Sequence, residues 1–371
     1  MQVVIRVDAS TTMGTGHVYR MLTLATRLQQ SGHQVLFVSR KLNGNLFDII
    51  KAQFELITLP SPKQHCQNAH NQHGDWLEVD YETEISEITS VLRQYLNNLK
   101  INKFDWVVAD HYAIDHTWHR AVKALTHAIM QVDDLADRKH ECDLLLDQNF
   151  YSDSSVRYQQ HVPAQCITLL GPEYALLRDD FLPYRQQLKP YSERINQKRV
   201  VLFFGGMDRD NETEKALLGL LGVHSDHIFD VIIGQHNPHK DRLQALCDAE
   251  KSRVILHIQT KKVAAIFAEA FLYVGAVGAT TWERCVLGLP AIVCSLALNQ
   301  RQLSQDLHLI NAHMYLGEHT KLSSAHYQDA FQRMISDKMA LTLQSKLCMK
   351  LISGKGCQKV VSTMEEIRAN G

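Results

Sequence analysis

Residues 3–38 read VVIRVDASTTMGTGHVYRMLTLATRLQQSGHQVLFV, and this stretch decides the fold class. Val3–Val7 is a β-branched run of strand length. From Val18 to Gln30, Met21, Leu22, Leu24, Ala25 and Leu28 recur at helical spacing; Gly32 follows as a stop signal, and Val35–Val38 is strand-like again. Strand, helix and strand in such quick succession make a parallel βαβ unit. The alternation continues through Trp106–Ala109, Ala128–Val132 and Leu144–Leu146. A second series follows: Val200–Phe204, Asp230–Ile233, Val254–Ile258, Leu272–Val274 and Ala291–Cys294. Between the two lies FLPYRQQLKPYSERINQK (181–198), polar and interrupted by Pro183 and Pro190. From about Ser323 the chain is helical in character, with Gly354 and Gly356 near its end. The expectation is an α/β protein of two Rossmann-like domains with parallel sheets facing a cleft. Residues 1–182 form the first, 183–198 the linker, and 199–371 the second together with a C-terminal helical segment.

Composition narrows the function. The 371 residues are 45% hydrophobic, enough for substantial cores, and the formal net charge of -1 lacks the basic footprint of a nucleic-acid binder. No apolar run reaches the roughly 18 residues of a membrane span. Met1–Asp8 meets a charge at once, without a leader-like apolar core, and the eight cysteines contain no CxxC pair. A cytoplasmic protein with reduced thiols is expected, without a membrane partner. The near-neutral charge and absent heptad seam favour a monomer. Of the 20 histidines, His224–His227 and His236–His239 are HxxH pairs without the glutamate of a metalloprotease helix, so no metal is expected. His65, His70 and His73, in the segment 61–76, receive no assignment.

Several glycine-bearing or acidic strand ends could carry chemistry. Gly14-Thr15-Gly16-His17 joins the first strand to the first helix, where glycines admit a ligand close to the backbone. A dinucleotide fingerprint fails there, because Tyr19 replaces the third glycine and Ser39-Arg40 replaces the ribose-binding acid. No phosphate-binding GxxxxGK[ST] loop exists. His17, at the positive end of a helix dipole, reads either as a neutral general base or as a partner of its own loop. Gly278-Ala279-Thr280-Thr281-Trp282-Glu283 suits a diphosphate, with Glu283 accepting from a ribose diol, or else is a close-packed strand–helix turn with a capping threonine. Gly205-Gly206 and Gly234 end two more strands. Asp8 and Asp110 end strands as candidates to orient a base or a sugar, while Asp133 and Asp134 read more readily as helix caps. Gly171-Pro172-Glu173-Tyr174-Ala175-Leu176-Leu177-Arg178 reads as a hinge-side turn.

Taken in order, IRVDAS…GTGHVYRMLTLA (5–25), ADHY (109–112), VDDLADR (132–138), DLLLDQN (143–149), GPEYALLR (171–178), FGGMD (204–208), GATTWERCVLGLP (278–290) and NQ (299–300) resemble the UDP-sugar hydrolase family of the pseudaminic acid pathway. The resemblance implies a GT-B fold, no metal or other cofactor, and release of UDP from UDP-2,4-diacetamido-2,4,6-trideoxy-β-L-altropyranose. It implies His17 as the catalytic residue. It places the nucleotide in the second domain, with Thr280, Thr281 and Glu283 on diphosphate and ribose, Gly14 and Gly16 beside His17, and Asn299 and Gln300 among the substrate contacts. The GT-B transferase that adds N-acetylglucosamine to lipid-linked muramyl-pentapeptide shares the nucleotide-side pattern. Two other readings compete: a GT-B glycosyltransferase with an acceptor other than water, and a non-catalytic nucleotide-sugar binder.

Overall fold

The computed structural model describes residues 1–62 and 72–370; His65 and His70 lie outside the described residues. The first sheet contains β1 (Gln2–Val7), β2 (Gln34–Arg40), β3 (Glu55–Leu59), β4 (Phe104–Asp110), β5 (Thr126–Val132), β6 (Leu144–Asp147) and β7 (Ile167–Leu170), in the order β3-β2-β1-β4-β5-β6-β7. All of its ladders are parallel. The second contains β8 (Arg199–Phe203), β9 (Ile228–Ile233), β10 (Val254–Ile258), β11 (Leu272–Ala276), β12 (Ala291–Ser295) and β13 (Met314–Glu318), also parallel, in the order β10-β9-β8-β11-β12-β13.

Burial follows from the strand period. Val3, Ile5 and Val7 of β1 face one core layer, packed under Val18, Met21, Leu22 and Ala25 of the helix Gly16–Gln30. Val4 faces the opposite layer with Leu36, Val38, Leu92 and Trp118. A sheet covered on both faces needs apolar residues at successive positions, which is why these strands lack polar alternation. In each sheet the chain winds outward on one side, then crosses to the other. The reversal falls between β1 and β4 in the first sheet and between β8 and β11 in the second. Loops part at such a switch point and leave a crevice beyond the C-terminal strand ends.

The chain forms two compact units whose limits differ from the expected ones. The first comprises Met1–Asn149, Asp153–Leu177 and the chain from Lys355 onward; the second comprises Phe150–Ser152 and Arg178–Gly354. The segment expected as a linker folds within the second unit as the helices Leu182–Gln186 and Tyr191–Gln197. Its prolines sit at helix starts, Pro183 in the first turn and Pro190 at the N-cap, where the missing N–H costs nothing. Tyr191 and Ile195, one turn apart, pack on the second core, and buried Arg194 donates to the Gly288 carbonyl at 2.9 Å.

A second correction concerns the C-terminal helix Gly356–Asn370, expected in the second domain. Cys357, Val360, Val361 and Met364 join the first unit's core beside Met21 and Ala25. Gly356 makes this approach possible, since a Cβ there would lie 2.3 Å from the Ala175 carbonyl oxygen.

Candidate active site

The site in the first unit grows from the β1–β4 switch point. After β1 the chain turns tightly: the Ser10 carbonyl accepts from Gly14 N–H at 2.8 Å, and the Ser10 hydroxyl accepts from Met13 N–H at 3.0 Å. Gly14 closes this turn at φ +83°, a conformation that disfavours any side chain. The helix begins at Gly16, so His17 emerges in its first turn, 7% exposed. Asp110 is the last residue of neighbouring β4 and is fully buried.

These two residues meet. His17 Nδ1 lies 2.6 Å from Asp110 Oδ1. Arg20, three residues on and thus on the same helix face, grips the same carboxylate with Nε to Oδ2 and Nη2 to Oδ1, both at 2.6 Å. Burial alone would raise the Asp110 pKa, but Arg20 and His17 outweigh it and hold the group at about 2. An ionised carboxylate only accepts, so the network assigns a proton to His17 Nδ1. The 3.2 Å approach of Arg20 Nη2 to His17 Nδ1 is then a contact between two donors, tolerated because Asp110 accepts from both. The arrangement has the geometry that a base and its orienting carboxylate require, with one ring nitrogen fixed by the carboxylate.

A second layer holds this pair. Arg20 Nη1 reaches Asp134 Oδ2 at 3.4 Å, Tyr112 O–H donates to Asp134 Oδ1 at 2.5 Å, and Asn149 Nδ2 approaches Asp134 Oδ2 at 3.3 Å. The Tyr112 ring meets His17 edge-on at 4.8 Å between centroids, with Trp76 at 6.2 Å on a similar angle. His73 packs on Trp76 at 5.0 Å, and burial lowers its pKa. Sequence reasoning assigned no role to Arg20, Tyr112 or Trp76. The available signal was the i, i+3 spacing of His17 and Arg20, which puts an arginine where only a carboxylate could compensate it.

The acidic candidates separate. Asp110 orients His17; Asp8 does not. Asp8 accepts from Arg6 Nη1 at 2.5 Å, Arg40 N–H at 2.6 Å and the Ser39 hydroxyl at 3.2 Å, while Glu84 bridges Arg6 and Arg40. Asp8 is therefore part of a buried ion network, and the Arg6 guanidinium, with help from the Arg40 N–H, pulls its pKa to about 2 against burial. Asp133, expected to cap a helix, instead closes a loop turn by accepting from Ala136 N–H at 2.9 Å and pairs with Arg138 at 2.8 Å, since β5 leads to β6 without a helix between them. Asp134, expected to do the same, instead serves the His17 network.

In the second unit the glycine candidates converge on the β8–β11 switch point. Gly205 and Gly206 follow β8, Gly234 follows β9 and Gly278 follows β11. A Cβ on Gly234 would lie 2.7 Å from the Gly206 carbonyl oxygen, so these two glycines let adjacent loops touch. No atom lies within 4 Å of where a Cβ on Gly278 would sit, so the space beside its Cα is open. Thr280 is half-buried, while Thr281 is buried with its hydroxyl accepting from Gly278 N–H at 3.3 Å; Ala279 stands at the N-cap without a side-chain cap, so the capping threonine weighed as the alternative is not what forms here. Glu283 accepts from Arg178 Nε at 3.0 Å. Asp208, of the FGGMD motif, caps the helix Glu212–Leu221 by accepting from Glu212 and Thr213 N–H at 2.9 and 2.8 Å. After β12, Asn299 is exposed, and Gln300 Oε1 accepts from Leu296 N–H at 2.8 Å, which ties its side chain to the loop.

Among the described residues, no group of three or more His, Cys, Asp or Glu is placed to hold a metal, and no helix is long and apolar enough to cross a membrane.

The chain matches no protein-family model. Among solved structures it resembles a UDP-glucosyltransferase of Polygonum tinctorium capable of glucosylating indoxyl, with a TM-score of 0.69, 11% identity and 98% of each chain covered. Two parallel α/β units with this likeness decide the architecture. The fold is GT-B.

Within this GT-B frame, the chain is 27% identical over 276 residues to the UDP-2,4-diacetamido-2,4,6-trideoxy-beta-L-altropyranose hydrolase of Campylobacter jejuni, covering 73% of this chain and 82% of that protein. It is 23% identical over 319 residues to an uncharacterized protein of Methanocaldococcus jannaschii; that match takes in 83% of this chain and only 57% of the relative. The similarity to the hydrolase agrees with the resemblance carried by the ordered motifs.

Proposed function

We propose that this GT-B protein hydrolyses UDP-2,4-diacetamido-2,4,6-trideoxy-β-L-altropyranose to UDP and the free diacetamido sugar. The observation that carries the reading is the 2.6 Å contact between His17 Nδ1 and Asp110 at the β1–β4 switch point. His17 Nε2 takes a proton from water as its oxygen attacks the anomeric carbon; the C–O bond to UDP breaks on the opposite face, and the configuration inverts. Asp110 steadies the imidazolium that forms. UDP is a good leaving group, and backbone N–H groups near Gly278 with the Thr280 hydroxyl would hold its diphosphate in the second unit without a strong general acid. The substrate's identity rests on the similarity to the Campylobacter jejuni hydrolase and on the motif order.

The test is UDP release from this nucleotide sugar, with EDTA and without acceptor, comparing the wild type with His17→Ala. The variant should fold and bind UDP with turnover lowered about 10²–10⁴-fold. Turnover within a few fold of wild type removes His17 from the mechanism. The likeness to a UDP-glucosyltransferase supports a second reading, transfer to an acceptor other than water. That reading requires UDP release to be absent until an acceptor is added.

A further inference from the structure

The GPEYALLR motif has no part in the reaction drawn above, yet its last residue touches a nucleotide-side candidate. Arg178 Nε donates to Glu283 Oε1 at 3.0 Å, within the second unit. The guanidinium is not loosely placed. It lies over the ring of fully buried Phe181, with Cζ 5.1 Å from the centroid, and Asp180 Oδ1 stands 3.7 Å from the same Nε. A planar cation stacked on a fixed ring presents its N–H in one direction, which an ammonium on a flexible stem would not. Glu283 sits in the first turn of the helix Thr280–Val286, beyond the β11 strand end and close in sequence to Gly278, beside whose Cα the space is open. Its side chain is 15% exposed against 38% for Arg178, so one carboxylate oxygen is fixed by a cation while the group stays reachable from solvent. Burial raises the Glu283 pKa and Arg178 opposes that rise, so the contact also favours the acceptor-only form.

We propose that Arg178 is a positioning residue for the nucleotide: it holds Glu283 through Oε1 so that Oε2 accepts from the ribose diol. This rests on the reading that the second unit binds UDP. A carboxylate held this way accepts from two vicinal hydroxyls, whereas a free one spreads over several rotamers.

The experiment is calorimetric titration of the full chain with UDP and with 2′,3′-dideoxy-UDP, for wild type, Arg178→Ala, Arg178→Lys and Glu283→Ala. Wild type should prefer UDP by about 10–100-fold, the range for losing hydrogen bonds to a charged group. Arg178→Ala should weaken UDP about tenfold or more and leave dideoxy-UDP unchanged, so that its discrimination falls toward that of Glu283→Ala. Arg178→Lys should recover only part of the preference. Thermal unfolding of each variant separates this pattern from lost structure, because misfolding would weaken both ligands together. If Arg178→Ala weakens both nucleotides equally, or neither, the positioning role is overturned while UDP binding stands. Absence of UDP binding in wild type overturns the nucleotide reading itself, whereas full discrimination in Glu283→Ala takes Glu283 off the ribose and removes the role of Arg178 while UDP binding stands.

Discussion

Replacing Asp110 with asparagine changes one oxygen to an amide, and the structure allows the consequence to be worked out. The native carboxylate accepts three contacts of 2.6 Å, one from His17 and two from Arg20. The amide has one acceptor oxygen and a donor NH₂. If the oxygen stays on Arg20, the NH₂ faces His17 Nδ1, which must then give up its proton and move it to Nε2, the nitrogen needed as base. If it stays on His17, the imidazolium formed during turnover still loses its counter-charge. Two unit charges about 4 Å apart at an effective dielectric near 20 interact by about 4 kcal/mol, which corresponds to about 10³ in rate. Arg20 loses its main partner too and keeps Asp134 at 3.4 Å, so a stability loss of up to about 3–5 kcal/mol is expected. The assay is single-turnover UDP release, with UDP affinity and thermal unfolding measured alongside. The prediction is a kcat about 10³-fold lower, unchanged UDP affinity, and a His17→Ala/Asp110→Asn double variant no slower than His17→Ala alone, because the two residues act as a unit. A kcat within about threefold of wild type, or losses that multiply in the double variant, refutes the pairing.

Two further outcomes follow from the geometry. Gly278→Ala places a Cβ in open space, so the fold should be unaffected while UDP binding weakens about tenfold or more; unchanged affinity would remove this backbone from the nucleotide site. Burial lowers both His111 and His119 to about 3, against an ordinary value near 6.5. The unfolded chain therefore takes up these protons below about pH 6.5 and the folded chain only near pH 3, so stability falls with falling pH. At about pH 5 each histidine contributes a loss of about 2 kcal/mol, about 4 together. Asp8 and Asp110, held at about 2, add their losses only below about pH 4. Urea unfolding at about pH 7.5 and pH 5 measures the difference, and equal stabilities would contradict the buried neutral state of both rings.

What could be read beforehand followed the range of the interactions. Strands such as Val3–Val7 and Val254–Ile258 are local patterns, and both lie within observed strands. His17 and Asp110 were each visible as strand-end residues, but their pairing spans 93 positions and exists only because β1 and β4 are neighbours. Asp8 looked equivalent to Asp110 because each is an acid at a strand end. They differ in which cations surround them: Arg6 points toward Asp8 and Glu84, whereas Arg20 rises from the helix toward Asp110. Asp134 looked like a cap because side-chain oxygens at strand ends often serve that way, and only the positions of Tyr112 and Arg20 give it other work. The helical character of the last residues was plain in their spacing. Its destination was not, since an apolar helix face does not name the surface that will cover it.

That destination has a consequence for the order in which the molecule can be made. Residues Arg178–Gly354 are in effect an insertion in the first unit, and the helix Gly356–Asn370 that joins the first unit's core is made only after them. The second unit has its whole sheet in hand by Glu318 and can close while synthesis continues. Until Val360, Val361 and Met364 arrive, the layer over Met21 and Ala25 stays uncovered, and the helix that presents His17 is the one left bare. The half that carries the candidate base thus draws part of its core from residues made more than 300 positions after the base itself was laid down.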